Sequence, residues 1–83
     1  MDQRFDKPVR VALGPAQNVV YTVDRVGRAA ELLLNQWPVR TGRFYTEARR
    51  ACILAMEGQI TGKQARQAFT AAAREADILM GPS

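Results

Sequence analysis

The segment from Pro8 to Val23 constrains this chain more than any other part of it. Pro8-Val-Arg-Val-Ala-Leu13 alternates apolar and other residues and puts Val9, Val11 and Leu13 on one face, while Asn18-Val-Val-Tyr-Thr-Val23 is rich in β-branched and aromatic residues. Gly14-Pro15-Ala16-Gln17 between them is turn chemistry of hairpin length, so the two strands are expected to be antiparallel neighbours. A lone hairpin is not stable in water, so one of its faces has to be covered by helices or by a second chain. Whatever follows Val23 must supply that cover.

The rest of the chain has helical periodicity. Asp24 can cap a helix from about Arg25 to Gln36, in which Val26, Ala29, Ala30, Leu33, Leu34 and Trp37 recur at spacings of three and four, with Leu32 at the flank and Pro38 as a stop. A second helix fits Arg43 to Glu57, with Phe44, Tyr45, Ala48, Cys52, Ala55 and Met56 inward and Gly58 as a left-handed C-cap. Thr61-Gly-Lys-Gln64 matches a capping box, with Ile60 placed to pack on Ala65. The helix it opens presents Ala65, Ala68, Phe69, Ala72, Ala73 and Ala76 on one side, small residues that permit close helix packing around one large ring. Ile78-Leu79-Met80 suits either a short strand or a cap on the core. Residues 1–7 and 81–83 are expected to fray.

Length and charge bound the function. With 83 residues the chain holds one domain, which buries only roughly 60 to 65% of the surface of its unfolded form. The net charge of +4, carried by ten Arg and two Lys against eight carboxylates, tilts towards an acidic partner but also serves plain solubility. No signal-like or membrane-spanning apolar run is present, so a cytoplasmic protein without membrane attachment is expected. There is no His, and Cys52 is the sole cysteine. An intrachain disulfide is therefore impossible, and zinc sites, cysteine–histidine catalysis and the usual general base are missing.

The densest stretch is Asn35-Gln-Trp-Pro-Val-Arg-Thr-Gly-Arg-Phe-Tyr-Thr-Glu-Ala-Arg-Arg50, which mixes the only Trp with four arginines. Arg40, Arg43, Arg49 and Arg50 are the candidate contacts for an anion or nucleic acid, and with Lys63 and Arg66 they face only Glu47 and Glu57 in that span. Arg43 with Glu47, and Glu47 with Arg50, fall at pairing distance on a helix, which favours a solvated face; Arg40, Arg49, Lys63 and Arg66 lack such local partners. Exposed rings beside arginines would suit single-stranded nucleic acid, but Trp37 and Tyr45 both fall on inward stripes and are assigned to the core with Cys52 and Phe69. A helix-turn-helix does not fit: with Gly58 as the turn glycine, Leu54 and Gln64 stand where Ala and an apolar residue are needed, and with Gly62 the apolar position before it holds Thr61. The scattered carboxylates make no acid/base pair or magnesium site.

Taken together, Phe5, Pro8-Val9, Ala29-Ala30 with Leu33, Trp37-Pro38, Gly42, Tyr45, Ala48, Cys52, Gly58, Ala65-Arg66, Phe69, Ala72-Ala73 and Glu75-Ala76 resemble the short bacterial proteins of domain-of-unknown-function family 982, which occur mainly in rhizobia and related alphaproteobacteria. The resemblance spans nearly the whole chain and implies a shared fold but no activity, ligand or catalytic residue. Arg66 and Glu75 are the family-like positions outside the expected core, and could serve an ion pair or an interface. Arg40, Arg43 and Arg49 are not part of the pattern, which lowers the weight of nucleic acid as a partner.

The resulting expectation is an α+β domain, an N-terminal β-hairpin packed against three α-helices, with a short third strand at Ile78–Met80 as an option. Free hairpin edges and a generous apolar supply favour a homodimer. The expected function is a non-catalytic interaction module without cofactor or metal, acting through protein contacts or self-association. Electrostatic nucleic-acid binding around residues 40–50 is the alternative.

Overall fold

The computed structural model describes residues 4–80. Strand β1 (Arg4–Leu13) pairs antiparallel with β2 (Val19–Arg25), and helices α1 (Val26–Asn35), α2 (Arg43–Met56) and α3 (Gly62–Glu75) follow. This is the expected hairpin and three helices. Val9, Val11 and Leu13 are all buried, as the alternation requires. They join Val23, Val26, Leu33, Trp37, Cys52 and Phe69 in one continuous core.

β1 begins at Arg4 rather than Pro8, so residues 4–7, expected to fray, belong to the strand; residues 1–3 and 81–83 lie outside the described residues. The reason is packing: Phe5 is buried and stacks at a tilt on Phe69, with ring centroids 5.9 Å apart. Between Arg4↔Arg25 and Val9↔Val23 the register shifts, five residue steps on β1 running against two on β2. The extra residues of β1, Asp6 to Pro8 among them, swell out of the ladder as an irregular bulge. Pro8, which has no N–H to give, is tolerated at such a place.

Residues 78–80 do not form a strand. Leu79 makes a single antiparallel bridge to Val11 on the side of β1 away from β2, with the Ala12 N–H donating to the Ile78 carbonyl and the Met80 N–H to the Arg10 carbonyl. A Schellman motif turns the chain there: Asp77, at φ 59°, donates its N–H to the Arg74 carbonyl and Ile78 donates to Ala73. The same motif ends α2 at Gly58, where the left-handed φ of 78° is the one the C-cap reading requires.

Three local expectations are corrected. Asp24 does not cap α1, because β2 runs straight into the helix and Arg25, still paired with Arg4, occupies the N-cap position without a side-chain hydrogen bond. The inward face of α1 is Val26, Ala29, Leu32 and Leu33, while Leu34 is 48% exposed. Trp37 lies beyond the C-cap residue Gln36 and reaches the core from the connecting segment, so a stripe drawn through it is rotated by one position. On α2, Phe44 and Met56 are exposed rather than inward, whereas Ala51 is buried. The capping box at Thr61 is present in full, with the Thr61 side chain accepting from the Gln64 N–H and the Gln64 side chain accepting from the Thr61 N–H.

Candidate functional site

The four arginines of the Asn35–Arg50 stretch do not converge on one point. Arg40 donates weakly to the Asn35 carbonyl at the end of α1, at 3.5 Å, where a cation also complements the helix dipole. Arg43 pairs with Glu47 at 3.4 Å and lies 5.7 Å from the centre of the Phe44 ring. Glu47 is thereby taken by Arg43 rather than shared with Arg50 as the spacing also permits. Arg49 lies 5.8 Å from the Tyr45 ring centre. Arg49 and Arg50 border a shallow hollow on α2 together with Thr46, Ile53 and Leu54.

The two aromatics in that stretch turn inward. Trp37 is 4% exposed and packs on Phe69 with ring centroids 5.3 Å apart. Tyr45 is 3% exposed, and its hydroxyl donates to the Leu33 carbonyl at 2.9 Å. That carbonyl belongs to the last turn of α1, where the helix itself offers no partner. Tyr45 therefore closes α1 from α2. Cys52 and Phe69 are fully buried beside them.

Arg66 and Glu75, both on α3, reach different elements. Glu75 accepts from the backbone N–H groups of Phe44 and Tyr45, at 3.4 and 3.3 Å, and so caps α2, whose own N-cap residue Gly42 has no side chain to do it. A Cβ on Gly42 would stand 2.6 Å from the Glu75 Oε1. Arg66 donates through Nε to Asp6 in the bulged part of β1, the two side chains being 20% and 34% exposed. Burial raises the Asp6 pKa, but the hydrogen bond and charge of Arg66, with help from Lys63, outweigh it and hold the carboxyl below its usual value.

Beside this ion pair lies a cleft of about 360 Å³ between the bulge of β1 and α3. Lys7, Arg66 and Arg74 line it together with Pro8, Thr70 and Leu79, and no lining residue is acidic. Thr70 is 9% exposed, and its Oγ1 has no hydrogen-bond partner among the described residues. No group of three or more His, Cys, Asp or Glu able to hold a metal ion is found among the described residues. None of their helices is long and apolar enough to cross a membrane.

Sequence reasoning missed Asp6, Gly62 and Thr70. Asp6 and Arg66 are sixty residues apart and no spacing rule joins them. Gly62 fits a capping box like any first-turn residue, yet a Cβ there would fall 1.8 Å from the Arg4 carbonyl oxygen, so α3 and β1 touch through bare backbone. Thr70 did give a signal: on the periodicity of α3 it neighbours Phe69 and Ala73 on the inward side, where a hydroxyl stands out.

The model of the family described as "Protein of unknown function (DUF982)" matches residues 7–80. The NMR structure of Agrobacterium tumefaciens protein Atu1219 is similar at 32% identity and a TM-score of 0.80, covering 98% of this chain and 79% of that one. No curated protein matches the sequence.

Proposed function

The chain belongs to the DUF982 family, and from that premise we propose that it is a small, non-catalytic interaction module of the cytoplasm, whose first partner is a second copy of itself. The observation that carries this reading is the asymmetry of the two-stranded sheet. One edge, on β1, is partly covered by residues 78–80, while the outer edge of β2 pairs with nothing among the described residues. Val19 and Val20 on that strand are 46% and 43% exposed. β2 holds no Pro and no Lys, the residues that commonly block such edges, and its two charges, Asp24 and Arg25, cancel.

The strand is also compatible with its own copy. Antiparallel pairing about a two-fold axis at Thr22 sets Arg25 opposite Val19 and Asp24 opposite Val20, so no like charges meet across the ladder. Sedimentation equilibrium at high micromolar concentration tests the reading, with a reversible dimer expected. Val20→Lys, at an exposed position, should return the protein to monomer without unfolding it. A parent chain that stays monomeric at that concentration overturns the proposal.

A further inference from the structure

We propose that the cleft between the β1 bulge and α3 is a binding site for a small organic anion, one with a carboxylate or phosphate head and a compact apolar body. Three features carry this. The cations Lys7, Arg66 and Arg74 line one cavity, none of whose lining residues is acidic. Asp6 occupies Arg66 through Nε, which fixes the plane of a guanidinium that borders the cleft and leaves its terminal nitrogens outside that bond. Thr70, nine-tenths buried, lines the same cavity with a hydroxyl that bonds to nothing among the described residues.

The hydroxyl is the discriminating observation. A threonine inside a helix ordinarily returns its hydroxyl to the carbonyl four residues earlier, and a buried polar group left without a partner is uncommon in a folded protein. A ligand oxygen can accept from it while the surrounding cations balance the negative charge. Pro8 and Leu79 give the cavity an apolar portion, which suits a ligand body rather than a bare inorganic ion. A volume of about 360 Å³ lies at the small end of the range for small-molecule sites. The bulge itself contributes, because it carries Lys7 and Pro8 off the ladder and towards α3.

The test is a ¹H–¹⁵N correlation titration of the full chain at fixed protein concentration with phenyl phosphate and with benzoate. Inorganic phosphate serves as the head-only control and benzyl alcohol as the body-only control. The expected result is a saturable shift, from at least one of the two aromatic anions, at residues 7–9, 66–74 and 79, with weaker binding of both controls. The two anions compared with each other report which head group is preferred. Thr70→Val should weaken the saturable binding about 5-fold, the loss of one hydrogen bond, and Lys7→Gln, at an exposed position that does not endanger folding, should weaken it by a similar factor. No saturable shift up to roughly 10 mM of either aromatic anion, millimolar affinity being about the weakest worth counting as a site, overturns the proposal. So do shifts that both variants leave unchanged, or shifts confined to Arg40–Arg50. Because no residue of β2 lines the cleft, a monomeric protein that binds the probe would sink the dimer reading and leave this one standing.

Discussion

Two basic regions of this molecule invite comparison, the Arg40–Arg50 corner and the cleft between β1 and α3. In the corner, four arginines sit within eleven positions, and three of them engage a carbonyl, a carboxylate or a ring supplied by a residue at most five positions away. In the cleft, Lys7, Arg66 and Arg74 come from opposite ends of the chain, and a buried hydroxyl beside them has no partner among the described residues. Density of charge along a sequence thus favours local neutralisation, since neighbours on one helix reach each other cheaply. Convergence of distant charges is built by tertiary contacts, and a buried hydroxyl with bonding capacity to spare beside them is the more informative sign of a site.

The comparison can be broken or sharpened by substitution, beginning with the contact that holds the cleft together. Gly62→Ala pushes a Cβ into the Arg4 carbonyl, and because backbone meets backbone there, a destabilisation of about 3 kcal/mol in urea unfolding is expected, the upper end for overpacking. If stability is unchanged, α3 and the start of β1 are not in contact and the cleft is not as described.

On the corner's side, Tyr45→Phe leaves the buried Leu33 carbonyl without its donor and should cost about 1 to 2 kcal/mol by the same measurement. That loss would mark Tyr45 as structural. Glu75→Ala removes the cap of α2 and should cost about 1 kcal/mol, with faster amide exchange at Phe44 and Tyr45.

The Asp6–Arg66 pair gives a pH signature. Asp6 is held below its ordinary value of 3.8, so its contribution to stability is fully present above that value and is lost as pH falls through the lower folded pKa. Asp6→Asn should therefore be less stable than the parent at pH 7, and the difference should close on acidification below the ordinary value. A gap that is constant with pH would mean that the carboxylate charge plays no part. The smallest effect is expected at the corner: converting Arg40, Arg43, Arg49 and Arg50 singly to Gln should move stability by no more than about 0.5 kcal/mol each. Salt-sensitive affinity of the parent for DNA between 50 and 200 mM salt, abolished by the combined replacement, would reverse the ranking of the two regions.

Much of the fold was legible because its signals are local. The alternation of Val9, Val11 and Leu13, the Thr61–Gln64 capping box and the Gly58 terminator each need only a few neighbouring residues, and each is found in place. The errors cluster where an element is defined by something remote. The inward stripe of α1 is turned from the expected one because Trp37 reaches the core from the connecting segment, and β1 starts earlier because Phe5 has Phe69 to pack on. The arginines of the corner were legible as a cluster, yet their partners include a helix-end carbonyl and a ring face, neither of which charge counting registers.

By itself, then, the sequence determined the order and type of the elements, the residues that stop them, and the lack of histidine and of a second cysteine to close an intrachain disulfide, because backbone preference, side-chain periodicity and composition are properties of short segments or of the whole count. Only the tertiary structure decided what Arg66, Glu75 and Thr70 do. Glu75 serves the N-terminus of another helix, Arg66 holds Asp6 from sixty residues away, and Thr70 lines a cleft with a hydroxyl that has no partner among the described residues. Each of these roles depends on which surfaces meet when the hairpin is covered, and that meeting is a many-body outcome of packing, which no spacing along the chain encodes.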